Sequence, residues 1–311
     1  MTEPRNKPAD WLVYLALRLV AMFVHMMPLD LVYRVAGAAG NAWYRLDARR
    51  RGRALEHLGR SFPAWSARKL DDVARGSFRS MIYLGFELLL TARLITQWRW
   101  ARFIVLPGNA EIARLLLERK SGLILISGHL GGWEIAGYAM AALGFEGYAV
   151  ARPLDNPYLN AYLVGARQKR GMKVLDKRGA MEAMDRIFLA RDYVGFIADQ
   201  DAGPTGMFVD FMGRPASTYK APALMAMRYN VPLAVGCGRR IDERYRFKME
   251  FERVIYPHEW ADKDDPLRWI TQEYTAALER AIRRFPEQYV WTYRRWKTQP
   301  RTPRPTEGTA A

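Results

Sequence analysis

Residues 123–140 read LILISGHLGGWEIAGYAM. Four apolar residues stop at Ser127–Gly128, His129 follows, and two glycines precede Trp133, Glu134 and a second apolar stretch. On one continuous helix, positions five apart differ by about 140°, so His129 and Glu134 would diverge. The glycines suggest a strand that ends at residue 127, a turn carrying His129, and a helix that starts near Gly131–Trp133. Glu134 then falls in the first helical turn and reaches back to the imidazole. This is the strand-to-helix crevice where open α/β sheets place ligands.

The flanking pattern agrees. Short β-type runs at 122–127, 147–151, 172–176, 193–198, 232–238 and 246–254 alternate with helix-forming segments at 110–120, 134–143, 157–171, 179–190 and 219–229. Such alternation predicts an α/β fold with a mainly parallel central sheet flanked by helices. The polar/apolar alternation at 246–254 predicts an antiparallel edge. Residues 266–285 read as a final amphipathic helix. Residues 1–100 read as a helical extension, in which Ser66 caps a helix through 67–90. The expected division is 1–100, the N-terminal membrane anchor and helical extension; 101–299, the α/β domain; and 300–311, a disordered Pro/Thr-rich tail.

The chain has 311 residues and a formal charge of +16, so its partner is expected to be anionic. One cysteine, Cys237, excludes an internal disulfide, and the four histidines lack metal-ligand spacing, so no metal is expected. Residues 11–27 (WLVYLALRLVAMFVHMM) are almost wholly apolar, with Arg18 and His25 as interruptions. A marginal transmembrane anchor, an interfacial helix with Arg18 snorkelling and a buried core helix all remain open. The arginine-rich segment 45–60 places the following domain on the cytoplasmic side if residues 11–27 anchor the chain.

A carboxylate on one ring nitrogen of His129 would hold its tautomer and raise the basicity of the other, which can then take a proton from a hydroxyl. The amides of Gly131 and Gly132 could hold an oxyanion. A bare His-x4-Glu is also compatible with an ordinary strand-end histidine beside a capping acid. Three further blocks extend the pattern: 152-RPLDNPYL-159, 198-ADQDAGPTGMFVDFMGRPAST-218 and 286-PEQYVWTYRRWKT-298. With ISGHLGGWE they resemble, in order, the bacterial lipid A late acyltransferase family, within the His-x4-Asp/Glu glycerolipid acyltransferases. Gly128, Gly131 and Met212 depart from the commoner residues of that family.

The resemblance implies transfer of a fatty acyl group from acyl carrier protein or acyl-CoA to a hydroxyl of a glycolipid such as a lipid A precursor, without a cofactor. It implies an inner-membrane enzyme with its catalytic part on the cytoplasmic face. His129 matches the family's base, Glu134 its orienting acid and Arg152 a basic active-site residue. Asp199 and Asp201 match its Asp-Gln-Asp block and are compatible with substrate binding or with organising a turn. Arg294 and Arg295 read as surface arginines, either solvated or holding an acidic carrier protein or lipid phosphates. The aromatics of 289–296 read as a strand with one buried face. Two other readings are a hydrolase of the same fold and a basic nucleic-acid-binding protein. No nucleic-acid motif supports the latter, and nucleic acid is not an expected partner.

Overall fold

A computed structural model describes residues 7–300 except 109, 146, 152, 169–170 and 177–179. Four helices come first: α1 (Pro8–Met26), α2 (Leu29–Leu46), α3 (Ala48–Ser61) and α4 (Ala67–Leu94). Pro28 ends α1 as expected of a residue that disfavours helix before it. Ser66 caps α4, its hydroxyl accepting from the Lys69 amide at 3.3 Å.

The alternating part then runs β1 (Ile104–Val105), α5 (Ala110–Glu118), β2 (Leu123–Ser127), α6 (Trp133–Ala142), β3 (Gly147–Ala151), α7 (Pro157–Gln168), β4 (Met172–Asp176), α8 (Ala180–Leu189) and β5 (Tyr193–Ile197). A hairpin, β6 (Met207–Phe211) and β7 (Arg214–Thr218), precedes α9 (Ala221–Tyr229), β8 (Leu233–Arg240), β9 (Phe247–Ile255) and α10 (Pro266–Arg284).

Among the described residues the main sheet has seven strands in the order β1-β9-β8-β2-β5-β3-β4. Every pairing is parallel except β8 with β9. The expected α/β architecture is therefore present, with one difference. β9 is antiparallel to β8, but it is not the edge: β1 pairs outside it through Ile104–Phe247 and Val105–Lys248. Two residues carry no readable period, which is why β1 escapes sequence analysis.

Ile124 and Ile126 of β2 and Val194 of β5 pack one face of the sheet against α8, α9 and α10. Leu123, Leu125 and Tyr193 face α5 on the other side. The N-terminal helices share core with the sheet, as Tyr33, Leu90 and Val24 cluster with Ile135 of α6 and Phe247 of β9. A buried ion pair reinforces this joint. Arg240 at the end of β8 binds Glu87 of α4, with Nη2 to Oε2 at 2.8 Å, and Tyr33 of α2 donates to the same carboxylate at 2.5 Å.

The segment after α10 is not a strand. Pro286–Gln288 form one 3-10 turn, and Tyr289 through Thr292 are all buried rather than alternating. Their backbone is held by side chains: Ser77 donates to the Tyr289 carbonyl at 2.5 Å, and His57 Nδ1 lies 3.1 Å from the Trp291 carbonyl. The expected tail falls outside the described residues from 301 onward.

Candidate active site

β2 is flanked by β8 and β5, so its C-terminal end lies at the centre of the sheet where the chain changes direction. The parallel register aligns Ser127 of β2 with Ile197 of β5. Two residues beyond each strand stand His129 and Asp199, and the same alignment sets them face to face. Asp199 Oδ2 accepts from the His129 amide at 2.8 Å, and Oδ1 lies 2.7 Å from Nδ1 of the ring. The Asp199 side chain is wholly buried, while that of His129 keeps 13% exposure. Gly128 makes this approach possible, because a Cβ there would meet the Asp199 carboxyl at 3.3 Å.

The imidazole is also walled by aromatic edges, Trp133 at 4.9 Å and Tyr293 at 4.7 Å between ring centroids. With Nδ1 held by Asp199, Nε2 is the nitrogen left for chemistry. Burial alone would push the Asp199 carboxyl up. The opposing charge of His129, the two hydrogen bonds and the charge of Arg295 outweigh it and hold the carboxyl below its usual range.

Glu134 does sit in the first turn of α6, but its carboxylate points elsewhere. Arg167 of α7 takes both oxygens, Nε at 3.0 Å and Nη2 at 2.6 Å. The orienting contact expected from Glu134 is thus supplied by Asp199. A guanidinium fork is a stronger bidentate partner for a carboxylate than an imidazole that Asp199 already holds.

The two glycine amides are also committed. Gly131 donates to the Gln288 carbonyl at 3.0 Å and Gly132 to the Gly238 carbonyl at 2.6 Å. The oxyanion role expected of them is therefore unavailable while these bonds stand. The glycines serve packing instead: Gly131 has φ +59°, and a Cβ on Gly132 would meet the Phe247 ring at 2.7 Å.

Of the remaining expected residues, Arg152 lies outside the described residues. Asp201 organises a turn, accepting from the Thr298 amide at 3.1 Å, the Thr298 hydroxyl at 2.9 Å and the Gly203 amide at 3.2 Å. Arg295 is not a surface arginine. It is 2% exposed and donates to the Ser217 carbonyl at 2.5 Å and the Thr218 hydroxyl at 2.6 Å, because the chain turns inward behind Asp199. Arg294 is exposed. Burial, reinforced by the charges of Arg294, Arg49 and Arg50, lowers the Arg53 guanidinium, so Arg294 belongs to one positive patch with α3.

A cavity of about 230 Å³ lies at the C-terminal end of β2 and the first turn of α6, and neither His129 nor Asp199 lines it. Ser127, Trp133 and Glu134, which bracket His129, line one part of it, and Ile112, Phe145 and Tyr193 line another. Gly195 adds no side chain to its lining, and a Cβ there would find nothing nearer than the Tyr148 carbonyl at 3.6 Å, so this glycine keeps the space open. Apart from Glu134, Arg167 and a few hydroxyl, thiol and indole groups, the wall is aliphatic or aromatic.

Comparison with known proteins settles the family. The sequence profile of the bacterial lipid A biosynthesis acyltransferases matches residues 3–298. The chain belongs to that family. It is an acyltransferase. Among similar proteins, the lipid A biosynthesis lauroyltransferase of Escherichia coli (strain K12) is 25% identical over 300 residues, covering 94% of each chain. The lipid A biosynthesis palmitoleoyltransferase of the same organism is 25% identical over 305 residues, covering 94% of this chain and 93% of its own. A lipid A biosynthesis acyltransferase of Shigella flexneri matches to the same extent. The Asp199 partnership was missed by local spacing because the two residues lie seventy positions apart. No local signal reveals it, since only the sheet order brings the ends of β2 and β5 side by side.

Proposed function

We propose that the protein moves a fatty acyl group from an acyl thioester to a hydroxyl of a lipid A precursor at the cytoplasmic face of the inner membrane. The observation that carries this reading is the His129–Asp199 pair, whose imidazole packs against Trp133, a residue that also lines an apolar cavity able to receive an acyl chain. Asp199 holds the proton on Nδ1, leaving Nε2 as the acceptor. Nε2 removes the proton from the acceptor hydroxyl as its oxygen attacks the thioester carbonyl carbon. The tetrahedral adduct collapses with cleavage of the C–S bond, and the proton passes from Nε2 to the departing sulfur. An ester and a free thiol result, and no acyl-enzyme is needed.

Glu134 and Arg167 act by position, tying the first turn of α6 to α7 at the cavity. Among the described residues no side chain caps α6, and the helix begins four residues after His129, so its positive end favours negative charge that develops there. The patch containing Arg294 adjoins Tyr293, which touches His129, and it suits an acidic carrier protein or the phosphate of coenzyme A. Mass spectrometry of membrane lipids with and without the protein tests the reading. A gain of one acyl mass on a lipid A species supports it. Unchanged lipid A together with release of free fatty acid refutes it in favour of hydrolysis.

A further inference from the structure

The chain after α10 lies across the His129–Asp199 pair as a strap. The Gln288 carbonyl accepts from the Gly131 amide at 3.0 Å, and the Val290 amide donates to the His129 carbonyl at 3.1 Å. The Tyr293 ring meets the imidazole at 4.7 Å between centroids. Thr298 donates to Asp201, two residues beyond Asp199. Arg295 is the buried cation of this strap, and its Nη1 donates to the carbonyl of Gln200, the residue next to Asp199.

A guanidinium stays charged in a protein, and burying a charge is costly unless an opposite charge balances it. The hydrogen bonds of Arg295 supply none. Its acceptors are the carbonyls of Gln200 at 3.3 Å and Ser217 at 2.5 Å and the Thr218 hydroxyl at 2.6 Å, all neutral. Its Nε has no hydrogen-bond partner among the described residues, and the guanidinium carbon lies 5.1 Å from the centroid of the Phe211 ring. Asp199 has the converse need. Its side chain is wholly buried, and a neutral His129 leaves the carboxylate as an excess negative charge.

We propose that Arg295 is a positioning residue for acyl transfer: its buried charge balances that of Asp199, so that the pair rests as a carboxylate and a neutral imidazole with Nε2 free to accept a proton. The proposal rests on the base role given to His129 above. Without the guanidinium, burial drives the pair to bind one more proton, and the two residues share that titration. A proton on the imidazole occupies Nε2. A proton on Asp199 Oδ1 turns to Nδ1, because Oδ2 accepts from the His129 amide, and the ring hydrogen then moves to Nε2. Either way the base is lost.

The other titratable groups that face the pair do not replace this charge. Burial, with the Asp199 charge adding to it, raises Tyr289 and Tyr293 of the strap. Burial and the charge of Asp201 raise Tyr219 beyond β7, and burial raises Tyr274 of α10, which faces Arg295. All four stay neutral over the working pH range. Asp201 adds a negative charge, held by Thr298 and the Gly203 amide.

Two readouts on the full chain test it in the wild type, Arg295→Gln and Arg295→Lys. One is the titration midpoint of His129, followed by NMR of histidine-labelled protein and assigned by its loss in His129→Asn. The other is the acid limb of kcat/KM for transfer from a fatty acyl-CoA to a lipid A precursor. Arg295→Gln should raise both by about 1–3 pH units, and Arg295→Lys, which keeps the charge, should leave both where the wild type has them. An unmoved midpoint in Arg295→Gln, or equal movement in the two variants, overturns the proposal in favour of a purely structural arginine. If Arg295→Gln does not fold, Arg295→Lys decides, since lysine keeps the charge but not the fork on Ser217 and Thr218: a wild-type limb and midpoint support the proposal, and their loss overturns it. The NMR titration needs no substrate, so a raised midpoint in a protein that transfers no acyl group counts against the acyl-transfer reading alone, and transfer with an unmoved midpoint against the role of Arg295 alone.

Discussion

Replacing Asp199 with Asn removes one charge while keeping size and shape. Asp199 now accepts from the His129 amide at 2.8 Å and binds Nδ1 at 2.7 Å. An asparagine has one accepting oxygen and one donating nitrogen. If the oxygen faces the amide, the nitrogen donates to Nδ1, and the ring proton moves to Nε2, which can then no longer take a proton. If the side chain flips, its nitrogen opposes the His129 N–H, leaving two buried donors together at a cost of about 1–3 kcal/mol. Either outcome removes the general base, whose contribution is typically about 10²- to 10⁴-fold, or about 3–5 kcal/mol of barrier. The assay is steady-state acyl transfer to a lipid acceptor with thermal unfolding of the same preparations. Asp199→Asn should lower kcat by about 10²- to 10⁴-fold with KM little changed. Glu134→Gln, which keeps a hydrogen bond to Arg167, should lose less. A folded Asn variant within about threefold of the wild type, or a larger loss in Glu134→Gln, would refute the assignment of Asp199 as the orienting carboxylate.

Other perturbations have calculable outcomes. Burial lowers His57 from 6.5 to about 4, so the unfolded chain binds the extra proton between those values. Stability is then fully present above about pH 6.5 and declines by at most about 3 kcal/mol as pH falls through 4, and His57→Gln should flatten that part of a denaturation–pH profile. Gly195→Val has room for its Cβ, whose nearest neighbour would be the Tyr148 carbonyl at 3.6 Å, so the added methyls enter the cavity. Competition between donors of different length should shift towards shorter acyl chains by about 10- to 200-fold per excluded methylene. Glu87→Gln strands the buried Arg240 without its counter-charge, and chemical denaturation should show a loss of about 3–5 kcal/mol.

The strands were legible because parallel strands buried on both faces read as continuous apolar runs, as in 123–126 and 193–197. The cap at Ser66 and the strand-turn-helix reading of 123–140 were legible for local reasons. What escaped depended on neighbours distant in sequence. His129 meets Asp199 only because β5 inserts beside β2, an order no local pattern reveals. The same holds for Arg295, whose burial follows from the path of the chain behind Asp199, and for the short β1. The β6–β7 hairpin turns at Met212 and Gly213, both at positive φ, and only the glycine advertises it. The substitution at Met212 therefore belongs to a turn.

The central claim is that Nε2 of His129 is the base for acyl transfer to a lipid hydroxyl. The most direct measurement is acyl transfer by purified His129→Ala, with product mass read on the lipid acceptor and folding checked by circular dichroism. The account predicts a folded protein that forms no acylated product above background. Product formed at the wild-type rate would contradict it.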